Sequence, residues 1–417
     1  LSWRVVQSWL ATADSSGWIA REQILGAEAR SRVPEKFRVQ RDDIANPPAM
    51  AMPVLRLAVS GLCGGGASGS QRVAAFCRRH RGGALPIDAG GDDAAARALL
   101  LHGRCGFECT TGDDSGVGSD GRAVSPSETL QRLREIVPIL VRHGEWFLRT
   151  QAGAAPHSFR WRGATRGHNF ASGLDDYPRG AVPSVLDQNV DLLAWMAWFS
   201  HVLADLITVA DASEGRGLVP AAGAWLQRHD QYLHRLATLH WDASAASFCD
   251  LGVRPEDVPA TRHGAPRQPP PDLPVTPICH VGYVSLLPFA LRLLDPQSTR
   301  DRVRIGAALA AMEDDRALAS PYGLRSLSAS SPLFGTDEDY WRGAVWVNVN
   351  YLAITAAQWY AVALRASGDV DAGVLQLAAR AERVAATTRA AIVHNMAGQY
   401  ERSGFVWELS LIHISEP

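Results

Sequence analysis

The sequence has little net charge and no long uninterrupted apolar run, and each absence excludes a class of protein. Lysine and arginine total 41 against 43 aspartate and glutamate residues, which gives a formal net charge of −2. This balance provides no electrostatic basis for binding nucleic acid or an anionic membrane surface, so we predict neither as a partner. No run of apolar residues reaches the roughly 18–20 residues that a membrane-spanning helix needs.

Several short motifs are missing as well. There is no G-x-S-x-G sequence, and period-two alternation is confined to 345–350, which disfavours a hydrolase with a Ser-His-Asp triad. The histidines lack metal-ligand spacing, and Cys105 and Cys109 have no second pair at zinc-site spacing, so no metal site is predicted. No Asn-x-Ser/Thr acceptor occurs, so glycosylation signals give no support for a luminal location. Disulfides among the six cysteines would require an oxidising compartment, and the sequence leaves their pairing open.

The pattern that remains is helical. Ser125 and Glu128 form a capping box with proline at the first helical position, and Ser184 followed by Asp187 repeats this arrangement. Apolar residues spaced at i, i+3 and i+4 predict helices over seven stretches: 126–150, 184–210, 221–239, 280–294, 302–312, 344–365 and 370–393. With so few strand signals, an all-α toroid is favoured over an α/β fold.

The composition changes in one long segment near the N-terminal quarter of the chain. Residues 60–124 are rich in glycine, alanine, aspartate and arginine. We predict a largely disordered insertion here, with short helices near 71–79 and 93–101. The alternative is that part of the segment is mistranslated or unspliced sequence. A second segment, 253–277, contains three consecutive prolines and is predicted to be an extended surface connector.

Six motifs follow one another along the chain in an order that is similar to a known family. They cover residues 17–26, 45–48, 172–179, 282–286, 322–327 and 340–351. The series resembles the catalytic domain of the processing α-glucosidases of glycoside hydrolase family 63, over about 3–408. The resemblance implies an (α/α)6 toroid of six inner and six outer helices, incomplete at both ends here, with 1–408 as a fragment of the catalytic domain.

The same resemblance implies a function. Enzymes of this type remove the terminal α-1,2-linked glucose of the triglucosylated N-glycan precursor, with inversion and without a cofactor. The partner would be the N-linked oligosaccharide on nascent glycoproteins in the endoplasmic reticulum lumen, with a membrane anchor upstream of residue 1. Two alternatives stay open: a relative of the same barrel that hydrolyses another α-glucoside or α-mannoside, and a non-catalytic glycan-binding descendant.

Two carboxyl groups receive catalytic roles from the resemblance. Asp175, in a loop bounded by Gly173 and Pro178, matches the general acid, and Glu408 matches the general base. An inverting glycosidase holds such a pair about 6.5–9.5 Å apart, which leaves room for a water molecule. We expect desolvation and the negative charges of Asp176 and Glu408 to keep Asp175 protonated.

Substrate-binding candidates lie in the same motifs: Arg21, Glu22, Trp161, Asp176, Asp187, Asp191, Tyr340, Trp341 and Arg342. Asp187 and Asp191 stand at i and i+4 and would share one face of the predicted helix. The family typically has glutamate at position 187 and often histidine at position 189, where this chain has aspartate and asparagine. The alternatives are a helix-cap charge for Asp187, a structural hydrogen bond for Asp191, an ion pair between loops for Arg21 and Glu22, and a solvated loop around Trp161.

The last nine residues depart from the family. After Glu408 the family continues with polar and aromatic residues, a glycine-rich loop and a final helix. Residues 409–417 instead resemble translated adapter sequence. We therefore predict a non-native tail at 409–417 and exclude it from the fold.

Overall fold

Helices make up most of the chain in the computed structural model. The structure describes residues 3–24, 26–33, 35, 40–63, 70–80, 124–180, 183–211, 219–254, 274–366 and 371–410. Within these ranges eleven α-helices occur: α1 Trp3–Leu10, α2 Gly26–Arg32, α3 Ala51–Cys63, α4 Gln71–His80, α5 Pro126–Thr150, α6 Val190–Ala210, α7 Val219–Arg235, α8 Tyr283–Ala290, α9 Thr299–Glu313, α10 Val347–Ala366 and α11 Ala372–Ser403. Among the described residues, eight short strands pair antiparallel in four two-stranded sheets: β1 Trp241–Asp242 with β2 Ser247–Phe248, β3 Asp250–Gly252 with β4 Thr276–Ile278, β5 Ala319–Ser320 with β6 Gly323–Leu324, and β7 Val345–Trp346 with β8 Leu409–Ser410.

Helix α5 begins and ends where the sequence predicts. The Ser125 hydroxyl accepts the backbone N–H of Glu128 at 3.2 Å, and Pro126 occupies the first turn, where its missing N–H costs no helical hydrogen bond. Leu133 and Leu140 on its apolar face are fully buried. Local capping and amphipathic spacing agree at this helix, so the sequence pattern is sufficient to predict it.

Helix α6 begins six residues later than predicted. One hydrogen bond of the predicted capping box is present, since the Ser184 N–H donates to Asp187 Oδ2 at 2.8 Å. The chain then pairs in extended form, because the backbones of Gln188 and Leu251 exchange hydrogen bonds of 2.8 and 3.0 Å. The helix therefore begins at Val190, after this long-range pairing ends.

Other helix limits also shift. Helix α11 extends ten residues beyond the predicted end, and α7 continues into a π-helical turn at Leu236–His240. The alternating run predicted over 345–350 is a strand only at β7, because α10 begins at Val347.

Two segments of unusual composition are partly described. The predicted insertion, 60–124, contains the end of α3 and the whole of α4, so the short helix expected at 71–79 is present. A Cys63–Cys77 disulfide joins α3 to α4, and Arg79 of α4 lies 2.6 Å from Asp205 of α6. The rest of the segment, 64–69 and 81–123, lies outside the described residues, as does the helix predicted at 93–101. Residues 255–273 of the predicted connector lie outside them too, and its end forms β4 against β3.

Helix α6 is the centre of the core. By length and composition it is apolar enough to cross a membrane, but 83% of its most apolar 18-residue window is buried inside the protein. It packs against α5, α7 and α8. Helix α8 in turn contacts α10, which pairs along its length with α11. Such a mostly buried apolar helix is typical of a protein core.

Loops link the N-terminal ends of three core helices. The Tyr177 hydroxyl donates to the carbonyl of His280, just before α8, at 2.9 Å. At Gly282 a β-carbon would stand 2.3 Å from that hydroxyl, so only glycine permits this approach. Bridges between Gly282 and Leu327, and between Arg325 and Val345, connect the start of α8 to the start of α10. The loops that precede α6, α8 and α10 therefore meet at one end of the helices.

Candidate active site

The loop that carries the predicted acid is shaped by its own backbone. Residues 170–172 form a 3-10 turn that ends at Gly173, whose φ of +70° lies in the left-handed region that glycine adopts most easily. The Asn169 N–H then donates to the Asp175 carbonyl at 2.7 Å, which closes the loop. The turn directs the two adjacent aspartates, Asp175 and Asp176, into different surroundings.

Asp176 is buried and fully engaged with the protein. Its carboxylate accepts the backbone N–H groups of Tyr340 at 3.1 Å and Trp341 at 2.6 Å, and its backbone carbonyl accepts Nε of Arg342 at 2.8 Å. Asp176, Trp341 and Arg342 were all candidates for direct substrate contact. In the structure Asp176 holds the 340–342 segment in place, and the three residues stay candidates.

Asp175 is held much more loosely. One carboxylate oxygen lies 3.5 Å from Nη2 of Arg21, and the other is buried without a hydrogen-bond partner among the described residues. Burial raises the pKa of Asp175, Arg21 opposes that rise, and the negative charge of Asp176 adds to it. Arg21 is itself fixed, because it donates to the carbonyl of Phe170 at 3.0 Å. A partly desolvated carboxyl with a raised pKa is the state that a general acid requires.

Aromatic rings cover the other side of this loop. Trp341 and Trp346 stack with centroids 3.7 Å apart and an interplanar angle of 5°, and Tyr340 stands edge-on to both. Trp346 Nε1 donates to the Tyr340 carbonyl at 3.0 Å. Tyr340 is the most exposed of the three rings, with 36% of its surface accessible. An accessible ring backed by a rigid stack is suited to contact the apolar face of a pyranose.

Glu408, the predicted base, lies at the beginning of α10. Helix α11 ends at Gly404, and the chain returns so that the Glu408 carbonyl accepts the N–H of Val347 at 3.0 Å. The Glu408 side chain is exposed. Burial raises the pKa of Tyr340, and the charges of Glu408 and Asp175 raise it further. Both predicted catalytic carboxyls therefore contribute to the electrostatic surroundings of Tyr340. The first two residues of the predicted tail, 409–410, form β8, and 411–417 lie outside the described residues.

A second group of charges lies deeper, at the start of α6. Asp191 is fully buried, and both its oxygens accept Nε1 of Trp161 at 3.1 Å. The same two oxygens accept the two terminal nitrogens of Arg179, in a bidentate pair. Arg179 also donates to Asp250 Oδ2 at 2.9 Å. Trp161 and Asp191, both substrate candidates, are therefore members of an internal network.

Asp187 differs from its neighbour Asp191. Its Oδ2 accepts the Ser184 N–H, while Oδ1 is buried and has no partner among the described residues. Burial raises the pKa of Asp187 to about 7, with a further contribution from the charge of Asp250. Asp187 therefore keeps its proton to a higher pH than an ordinary aspartate, and its Oδ1 has no hydrogen-bond partner among the described residues.

A cavity of about 340 Å³ opens beside this network. Its volume is within the range of small-ligand pockets. The wall combines aromatic, cationic and acidic side chains, which include Trp161, Arg166, His168, Tyr177, Arg179, Asp187, Asn189, Asp250 and Arg342. A few placed polar groups among apolar and aromatic side chains are the usual lining of a small-molecule site.

Glu22, a further substrate-binding candidate, is held by its backbone and not by its side chain. Glu22 meets Gln40 through its backbone N–H and carbonyl, at 3.1 and 2.9 Å. These two hydrogen bonds join neighbouring loops and do not involve the Glu22 carboxylate. Among the described residues, no cluster of three or more histidine, cysteine, aspartate or glutamate side chains is arranged to hold a metal ion.

Sequence reasoning missed Asp250. Its contacts are with Arg179, Asn189 and Val190, which precede it by 60 to 71 positions. No local motif marks it, since it begins an ordinary short strand, β3, next to the buried residues Cys249 and Leu251. The adjacent disulfide, Cys249–Cys279, is the pairing that the sequence left open.

Comparison with known proteins places this arrangement in a family. The family described as "Glycosyl hydrolase family 63 C-terminal domain" matches residues 1–410. A probable mannosyl-oligosaccharide glucosidase of Schizosaccharomyces pombe is 32% identical over 98% of this chain and 43% of its own length. The mannosyl-oligosaccharide glucosidase of Saccharomyces cerevisiae is 28% identical over 98% of this chain and 44% of its own. The chain thus spans less than half the length of these curated relatives.

A solved structure confirms the fold. The family 63 mannosylglycerate hydrolase of Thermus thermophilus, in complex with glucose, superposes with a TM-score of 0.51 over 97% of this chain and 82% of its own. At 14% identity this likeness concerns the fold alone, and it agrees with the predicted all-α toroid. The family match over residues 1–410 shows that the chain belongs to glycoside hydrolase family 63.

Proposed function

We propose that the chain is the catalytic part of an inverting α-glucosidase that removes the terminal α-1,2-linked glucose from the triglucosylated N-glycan precursor. Family membership and the two yeast relatives named as mannosyl-oligosaccharide glucosidases support the reaction class. The observation that carries the proposal is Asp175, a half-buried carboxyl with a raised pKa and with one oxygen that has no hydrogen-bond partner among the described residues.

In the proposed reaction Asp175 gives its proton to the glycosidic oxygen as the bond from that oxygen to C1 of the glucose breaks. Glu408 takes a proton from a water molecule, whose oxygen bonds to C1 from the opposite face. The glucose leaves with inverted configuration at C1. Arg21, 3.5 Å from Asp175, stabilises the carboxylate that remains after proton transfer.

Sugar recognition would use the two surroundings already described. Tyr340 offers an accessible ring on a rigid tryptophan stack. The cavity beside Asp187 supplies carboxylate, amide and guanidinium groups for hydroxyls. These groups are held by hydrogen bonds to other protein groups, so they are positioned before substrate arrives.

The proposed partner is the N-linked oligosaccharide of nascent glycoproteins in the lumen of the endoplasmic reticulum. The disulfides Cys63–Cys77 and Cys249–Cys279 are consistent with an oxidising compartment. The membrane anchor expected from the family resemblance would belong to sequence outside these 417 residues.

The test is hydrolysis of oligosaccharides of defined linkage by the purified protein. We expect release of glucose from the α-1,2-linked terminus, and none after Asp175→Asn or Glu408→Gln. Proton NMR of the first product should show β-glucose, as inversion demands. Release of the α-anomer would refute inversion, cleavage of an α-mannoside instead would favour the alternative hydrolase, and oligosaccharide binding without hydrolysis would favour the glycan-binding alternative.

A further inference from the structure

Asp250 connects three separate parts of the candidate site. It is buried on β3, with 6% of its surface accessible. Its Oδ1 accepts the N–H of Val190 at 2.8 Å, and its Oδ2 accepts Nη1 of Arg179 at 2.9 Å and Nδ2 of Asn189 at 3.4 Å. A single side chain thus contacts the loop after the proposed acid, the residue before α6 and the first residue of α6.

Helix α6 depends on Asp250 for its N-terminal cap. The helix's own N-cap residue, Asn189, makes no side-chain capping hydrogen bond. The Asp250 carboxylate takes that role from 60 positions away, and its negative charge is favourable at a helix N-terminus. Asp191 lies in the first turn of the same helix. The carboxylate of Asp250 therefore helps to fix the turn that carries Asp191, which Trp161 and Arg179 also hold directly.

Arg179 is held between two carboxylates. Asp191 binds its two terminal nitrogens on one side, and Asp250 binds one of them on the other. The pKa of Asp187 depends on the charges of Asp250 and Arg179. Burial is the main cause of its rise, the charge of Asp250 raises it further, and the charge of Arg179 lowers it. Removing the Asp250 charge would leave Arg179 with one partner and alter the field at Asp187.

The surroundings of Asp250 are rigid. Asp250 pairs with Ile278 in the β3–β4 hairpin, and the preceding residue forms the Cys249–Cys279 disulfide. His280, two residues after Ile278, accepts a hydrogen bond from the Tyr177 hydroxyl at its backbone carbonyl. The hairpin therefore ties Asp250 to the same loop that carries Asp175.

We propose that Asp250 is a positioning residue of the active site, which orients Arg179, Asn189 and the start of α6 and thereby aligns Asp187 and Asp191. This inference rests on the proposed glucosidase function for its kinetic consequence. Its structural consequence, a changed titration of Asp187, is independent of that function and can be measured without turnover.

The experiment compares Asp250→Asn with a matched control, Asp211→Asn, in the full chain. Asp211 is a buried aspartate at the other end of α6, where it accepts Nη1 of Arg72 at 3.2 Å. Both variants remove one buried charge paired with arginine. We expect Asp250→Asn to lower kcat/KM about 100-fold, with most of the loss in kcat, because small misplacements of catalytic groups have effects of that size. Asp211→Asn should leave kcat/KM within about threefold of the wild type, since it lies outside the site.

A second readout does not need activity. The Asp187 carboxyl is followed by carbon-detected NMR across pH in each protein. In Asp250→Asn its pKa should fall below about 7 by the part that the Asp250 charge contributes, while burial keeps it above the ordinary aspartate value; in Asp211→Asn it should not move. If the wild type hydrolyses no glucoside but the Asp187 shift is seen, the proposed function fails and the positioning role stands.

The converse outcomes overturn the inference. An unchanged Asp187 pKa in Asp250→Asn, or equal kinetic losses in the two variants, would reduce Asp250 to an ordinary stabilising residue. If Asp250→Asn does not fold, Asp250→Glu keeps the charge and displaces the carboxylate by one methylene. A folded Asp250→Glu protein with wild-type kcat/KM and Asp187 titration would likewise refute the positioning role.

Discussion

Two regions of this protein each carry a pair of acids, and in both regions the two members of the pair have opposite surroundings. In the loop before α6, Asp176 accepts two backbone N–H groups, while Asp175 leaves one oxygen buried without a partner among the described residues. At the start of α6, Asp191 accepts an indole N–H and a guanidinium, while Asp187 leaves one oxygen without a described partner.

The comparison shows how a protein keeps a carboxyl partly unsatisfied. A buried group without hydrogen bonds is costly, so the backbone beside it must be held by other contacts. Asp176 and Asp191 provide those contacts next to Asp175 and Asp187. The satisfied member of each pair stabilises the fold, and the unsatisfied member has a raised pKa and remains available for chemistry.

The largest effect should come from the unsatisfied acid of the first pair. Asp175→Asn cannot donate a proton to the leaving oxygen, so we expect kcat to fall by about 10³-fold or more. Stability should change little, because among the described residues the lost charge pairs with Arg21 alone, at 3.5 Å. Glucose release and urea unfolding measure the two quantities. Asp230→Asn, an exposed position on α7, is the control, and equal activity of the two variants would remove Asp175 from the acid role.

Replacing Asp176, the hydrogen-bonded acid of that pair, should mainly lower the stability of the fold. Asp176→Ala leaves two backbone N–H groups and Arg342 without their carboxylate, and we expect a loss of about 3–5 kcal/mol in the free energy of unfolding. Asp337→Asn removes the charge of an exposed partner of the same arginine, suits the positive φ of this position, and should cost less than about 1 kcal/mol. Similar losses in the two variants, measured by urea denaturation, would show that burial does not distinguish these carboxylates.

Asp187, the acid of the second pair with one oxygen that lacks a described partner, should make the free energy of unfolding depend on pH. The pKa of Asp187 is raised in the fold to about 7 from the ordinary value of 3.8. The folded protein therefore binds this proton more tightly than the unfolded chain, so its contribution is fully present below pH 3.8 and is lost as pH rises to about 7. In Asp187→Asn that loss should disappear, so the difference in urea midpoint between variant and wild type should grow from about pH 4 to about pH 7. A constant difference over this range would show that Asp187 titrates normally.

The smallest effect should come from Glu22, whose hydrogen bonds to Gln40 use the backbone. Glu22→Ala should change the free energy of unfolding by less than about 0.5 kcal/mol and leave KM for the oligosaccharide unchanged. Arg21→Ala is the comparison, since Arg21 contacts Asp175 through its side chain. A clear rise in KM for Glu22→Ala would restore Glu22 as a substrate-binding residue.

Much of the architecture follows from local sequence. The cap at Ser125 and the apolar spacing after it predict α5 to the residue, because every interaction that begins this helix lies within a few positions. The predicted start of α6 was wrong by six residues, because the interactions that begin this helix are not local. Its cap comes from Asp250, 60 positions later, and no window around Ser184 contains that information.

The candidate site divides in the same way. The sequence by itself determined the helical class, the glycine- and proline-bounded loop with its adjacent acids, and the family motifs that point to Asp175 and Glu408. Only the tertiary structure decided which acid of each pair is satisfied, because the donors to Asp176 come from 340–342 and those to Asp191 from Trp161 and Arg179. Hydrogen bonds and desolvation act over a few ångströms in space, whatever the distance along the chain, so the protonation and role of each carboxyl depend on segments that only the fold brings together.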